Sequence, residues 1–106
     1  MITAQMARNK ALNAIPEVEE RIKNILSKQE SDLEALIDSA VSQGENSICK
    51  TFIMGSFSCQ DLYAGHLKMF GRIAKEYFED LGYDVDLYYN WLSDSVTVTL
   101  SWMKED

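Results

Sequence analysis

Few side chains in this sequence could do chemistry. His66 is the only histidine, and imidazole is the side chain whose charge changes near neutral pH, so acid–base work would fall to it. On a helix it lies beside Tyr63, Phe70 and Ile73 with no nucleophile motif near, a setting that equally suits a packed boundary histidine. Cys59 falls close to an expected helix start, where a helix N-terminus can activate a thiol; the plain alternative is a small half-buried residue beside a cap. Asp84 and Asp86 alternate with apolar residues and share one strand face. They could hold a divalent ion or divide acid and base roles, or they could simply solvate that face. Gly55-Ser56-Phe57-Ser58 leads into the same helix start, where backbone amides can receive a phosphate. It lacks the lysine and glycine spacing of a P-loop. For it to take a small anion such as a nucleotide, Lys50, Lys68, Arg72 and Lys75 must converge on Ser56 and Ser58.

None of these sets has ligand spacing, and the expectation is a protein without catalytic residues, cofactor or metal. With one histidine and two cysteines, Cys49 and Cys59, a four-ligand zinc site would have to recruit carboxylates. Two cysteines are also too few for a disulfide framework in so small a chain, which suits a reducing compartment and free thiols. The first ten residues lack the apolar core of a signal peptide and no apolar run matches a membrane span, so a cytoplasmic location is expected. The net charge of −7 argues against direct binding to duplex nucleic acid, which relies on lysine and arginine at phosphates. It fits either solubility or mimicry of a phosphate backbone.

Exposed aromatics are the more informative signal. Tyr88 falls on the face opposite the expected core, and Trp91 with Leu92 occupies the turn between two strands. Aromatic residues are enriched at the energetic centres of interfaces, so these three form a candidate partner surface.

The elements that must position these residues follow from the apolar periodicity. Thr3 can cap a helix over 4–13, and Pro16 then either starts a new helix or kinks a continuing one. From Val18 the residues Ile22, Ile25, Leu26, Leu33, Leu36, Ile37 and Ala40 keep one helical stripe to about Ser42, with Gly44 as the stop. Ser31 and Glu34 have capping-box spacing, so a break near Gln29 is a second possibility. A helix of this length spans about 40 Å. Its overhang, with Ile22, Ile25, Leu33 and Leu36, is the candidate surface for a homo-oligomer.

Residues 48–54 have strand composition, with Ile48, Lys50, Phe52 and Met54 on one face and Cys49, Thr51 and Ile53 on the other, both partly covered. Ser58 and Asp61 read as the start of a second long helix carrying Leu62, Leu67, Phe70, Ile73, Ala74, Tyr77, Phe78 and Leu81, with Gly65 and Gly71 marking close packing. After Gly82, the set Val85, Leu87, Tyr89 alternates with Asp84, Asp86, Tyr88, and Val96, Val98, Leu100, Trp102 alternates with Thr97, Thr99, Ser101. One domain over 1–106 is expected, of α+β class: N-terminal helices, then β-α-β-β with a small antiparallel sheet packed on helices. Placing the last strand between the other two makes every pair antiparallel.

Three features together carry a resemblance: Thr3-Ala4-Gln5-Met6-Ala7-Arg8 at the helix start, a helix ending near glycine, and a closing Leu81-Gly82-Tyr83-x-Val85…Ser101-Trp102 hairpin. In these the chain resembles a loose class of small bacteriophage-encoded proteins. The resemblance implies a protein of the host cytoplasm, in several cases a stoichiometric antagonist of a host protein. The function expected is therefore a non-enzymatic small acidic interaction protein, which the resemblance would make an inhibitor or modulator of a host protein, with an oligomer sequestering a small anionic ligand such as a nucleotide as the alternative.

Overall fold

The threonine at position 3 fixes the start of the first helix: its backbone is extended and its Oγ1 accepts the Met6 N–H at 3.2 Å. From there the computed structural model, which describes residues 1–56, 59 and 62–102, runs α1 (Ala4–Ser42), β1 (Ser47–Ile53), a 3-10 turn (Ala64–His66), α2 (Leu67–Asp80), β2 (Asp84–Asn90) and β3 (Ser95–Ser101). This is the α+β architecture that the periodicity predicts.

The N-terminal region is one helix, not two. Pro16 lies inside α1. It withholds one hydrogen bond from the Leu12 carbonyl, but the residues around that carbonyl are exposed and water can take the place of the amide. The capping-box pair Ser31 and Glu34 is also passed over, because Ile22, Leu26, Leu33 and Ala40 are all buried and hold both halves of the helix to one core. Both helices end in the same way. Beyond α1, Gly44 (φ +77°) donates to Val41 and Glu45 to Ala40; beyond α2, Gly82 (φ +98°) donates to Glu79 and Tyr83 to Phe78. Each is a Schellman motif, whose left-handed residue glycine adopts without steric cost.

The second helix begins later than the Ser58–Asp61 spacing predicts. Tyr63 is extended, the turn at Ala64–His66 is 3-10, and α2 proper starts at Leu67. Leu62 is fully buried although it is not helical, so its apolar character reflects a loop folded into the core. Ser58 and Asp61 themselves lie outside the described residues. Gly65 accordingly belongs to the turn, where an added Cβ would meet nothing.

The sheet order is β1-β3-β2 with both pairs antiparallel. Its register separates two faces. Rows Ile48–Leu100–Val85, Lys50–Val98–Leu87 and Phe52–Val96–Tyr89 face the helices, and Phe52, Val96, Val98 and Leu100 in them are buried. Rows Cys49–Thr99–Asp86 and Thr51–Thr97–Tyr88 form the other face, with Thr51 and Thr97 hydroxyls 2.8 Å apart. In the outer rows Cys49, Thr51 and Ile53 are exposed, so β1 is covered on one side and not on both. Against the inner face pack Phe70, Ile73, Ala74 and Phe78 of α2, over β2 and β3, and Ile22, Leu26 and Leu33 of α1, which lies beside α2 and meets β1. Gly71 has the reason its position in α2 suggests: an added Cβ would meet the Tyr89 ring and hydroxyl.

The molecule measures 59 × 27 × 23 Å. Its radius of gyration of 16.0 Å exceeds the roughly 13 Å of a compact chain of about 100 residues. The difference comes from the first third of α1, which extends past the body with residues 1–14 all exposed.

Candidate functional site

Between β2 and β3 the chain turns through Trp91–Asp94, and the turn is built by local side chains. The Asn90 Oδ1 accepts the Leu92 N–H at 3.1 Å, which closes an Asx turn. Asp94 takes a left-handed conformation (φ +50°), which aspartate tolerates better than most residues, and its carbonyl accepts the Met54 N–H at 2.9 Å just past β1. The Ser93 and Ser95 hydroxyls lie 2.8 Å apart. The tip is thus fixed at both of its ends.

On this frame the Trp91 ring stacks on Tyr89, with centroids 5.3 Å apart and planes 13° apart, while the Lys68 ammonium lies 5.8 Å from the Trp91 centroid. Tyr89 is itself lodged over Gly71, so a chain of contacts runs from the backbone of α2 to the indole. A ring stack contributes about 0.5–1.5 kcal/mol and an exposed cation–π contact about 0.5–1 kcal/mol, enough together to favour one orientation of Trp91. Trp91 remains 57% exposed, Leu92 100% and Tyr88 69%. Tyr88 belongs to the outer sheet face, beside Thr97. The three residues proposed from sequence as a partner surface therefore lie on one strand and its turn, and all three are exposed. Lys68 and Tyr89 escape sequence reasoning: the first is known only once α2 is placed against β2, and the second is read as a core residue because it alternates with Tyr88.

The other candidates are dispersed. His66 accepts the Tyr63 N–H on Nδ1 at 3.1 Å, and its ring lies 5.6 Å from the Tyr63 ring, so that nitrogen closes the turn before α2. Cys59 is buried and Cys49 exposed, and neither forms a disulfide. Asp84 and Asp86 are exposed on the outer face and border a groove that also holds Lys75, Glu79, Gly82 and Tyr83. Among the described residues no group of three or more His, Cys, Asp or Glu is placed to hold a metal ion. No helix among them is long and apolar enough to cross a membrane.

Of the basic residues invoked for an anion, Lys68, Arg72 and Lys75 fall at i, i+4 and i+7 of α2 and share one stripe, but each side chain has a different partner, and Lys50 lies on β1. Lys50 is half-buried in the inner face of β1, in the row with Val98 and Leu87. Arg72 pairs with Glu19 of α1 at 3.3 Å, Lys75 with Glu79 at 3.8 Å, and Lys68 lies over Trp91. Ser56 is half-buried after β1, and Ser58 lies outside the described residues.

Nor does the proposed oligomer stripe remain available. Ile22 and Leu33 are 0% and 3% exposed in the chain's own core, with Ile25 packed against it; of the four only Leu36, at 42%, is exposed. The stripe that sequence assigns to a second subunit is the one that holds α1 to its own sheet and α2.

No protein-family model, no curated protein and no solved structure matches this chain.

Proposed function

We propose that this chain is a non-enzymatic protein-binding module that contacts its partner through the β2–β3 tip, with Leu92 and Trp91 as anchors and Tyr88 exposed on the other face of the same strand. The observation that carries this reading is a leucine with its whole side chain in water next to an indole already held by Tyr89 and Lys68. A fixed aromatic loses little conformational freedom on binding, so more of its buried area appears as affinity. Leu92 adds nothing to the core and leaves Trp91 with an exposed apolar neighbour, and adjoining exposed apolar side chains mark surfaces that meet a partner. Binding in fixed stoichiometry, as in an antagonist of a host protein, suits such a surface better than turnover does.

The test is affinity purification of the tagged chain from host lysate alongside the double variant Trp91→Ala/Leu92→Asp. One protein recovered in stoichiometric amount with the parent chain and lost with the double variant is the expected result. Retention of the same protein by the double variant overturns the assignment to the tip. Release of a nucleotide or similar anion from the purified parent chain, with no protein recovered, instead favours the ligand-sequestering alternative.

A further inference from the structure

The first fourteen residues bury no side chain, although the chain is helical from Ala4. A helix of about a dozen residues without tertiary contacts is marginal in water, and Pro16 removes one bond more at its base. This arm also differs in charge from the rest of the chain. It carries two of the 10 basic residues, Arg8 and Lys10, and none of the 17 acidic ones, so the remainder of the chain bears −9 against −7 for the whole. Neither cation has a polar partner among the described residues.

A complementary surface lies toward the far end of α1. Residues 30–45 contain five carboxylates and no basic side chain. Two of these, Glu30 and Glu34, rim an apolar groove of about 130 Å³ lined by Leu33, Ile37, Phe78 and Leu81. Engineered apolar cavities of about that size admit a benzene-sized group. Leu81 is 59% exposed there, and the Leu12 side chain on the arm is 57% exposed.

We propose that the arm of one copy seats in this groove of a second copy, with Leu12 entering the groove and Arg8 meeting Glu34. Arg8, Leu12 and Ile15 fall at i, i+4 and i+7 and so share one stripe of the arm, whereas Met6 and Lys10 point to the opposite side. Positions 8 and 34 are about 39 Å apart along the same helix, so no chain can make this contact with itself. A two-fold arrangement lets each copy supply one arm and one groove, which closes the assembly as a dimer.

Sedimentation equilibrium of the full chain, with circular dichroism to verify folding, tests the pairing. The parent is expected at twice the chain mass of 12.1 kDa. Arg8→Glu, Leu12→Ser and Glu34→Arg should each weaken dimerisation at least about tenfold, while Met6→Ser and Lys10→Glu change it less than about threefold. The double variant Arg8→Glu/Glu34→Arg, in a single chain, should dimerise as the parent does, since every reversed charge then meets a reversed partner. A parent that stays monomeric up to about 100 µM overturns the pairing and leaves the arm to a different protein. A dimer indifferent to Arg8→Glu and Leu12→Ser, or double reversal without recovery, overturns it equally.

Discussion

At the scale of single residues, the exposed tryptophan is tied to the interior through Gly71. Replacing Gly71 by alanine improves intrinsic helix propensity by roughly 1 kcal/mol, but the new Cβ meets the Tyr89 ring. Tyr89 cannot move freely, because its other side carries the Trp91 stack. Overpacking of this kind costs about 1–3 kcal/mol, so Gly71→Ala is expected to lower stability by up to about 2 kcal/mol despite the better propensity. It should also shift Trp91 emission, measured with Trp102→Phe as background so that one indole reports. An unchanged spectrum with unchanged stability would mean that the ring gives way without cost. Adding Tyr89→Leu to Gly71→Ala should return much of the lost stability while abolishing the stack, which separates the packing effect from the optical one.

At the scale of elements, α1 divides into a packed part and a free part, and substitutions should respect that division. Ile22→Ala removes a fully buried side chain and is expected to cost about 2–5 kcal/mol in urea unfolding, whereas Leu36→Ala, at a position 42% exposed, should cost less than about 1 kcal/mol. Equal effects would contradict the division. Much of this element structure was legible in sequence because local rules and the core agree: Val85, Leu87 and Val96, Val98, Leu100 alternate as strands with one buried face, and Gly44 and Gly82 mark both helix ends. The placement of β3 between β1 and β2 is one that the sequence allows without requiring: a crossover through α2 that sets β1 parallel to β2 leaves room for β3 between them, with every pair antiparallel. What could not be read is where tertiary packing overrides a local signal. Pro16 leaves a new helix or a kinked continuation open, and the helix continues because the Leu12 carbonyl it leaves unpaired faces water; the Leu62 spacing reads as helix, yet Leu62 is buried from a loop. Periodicity also identifies an apolar stripe without saying whose core it enters, which is why Ile22 and Leu33 were assigned to a second chain. The tip fared differently. The exposure of Tyr88, Trp91 and Leu92 is legible because Tyr88 alternates away from the buried face and Trp91 and Leu92 fall in the turn beyond it, while Lys68 depends on a contact distant in sequence.

At the scale of the whole molecule, the arm and the body should respond differently to a protease. Limited trypsin digestion of dilute protein is expected to cut first after Arg8 and Lys10, which lie in a helix without tertiary contacts, and only later at Lys23 and Lys28 in the packed part of α1 and at the sites in α2. If arms are seated in partner grooves, the first cuts slow as the concentration rises; a rate independent of concentration argues against seating. A different consequence comes from the strand order. β1 and β2, seven residues each, have no hydrogen bonds to one another, and β3 alone bonds to both. During synthesis, α1, β1, α2 and β2 all precede the strand that joins them, so the nascent chain carries two unpaired strands and wet apolar faces until Ser95–Ser101 has emerged. Assembly of the sheet therefore waits for β3, and until it pairs the unpaired strand edges of β1 and β2 are open to chaperones and to aggregation.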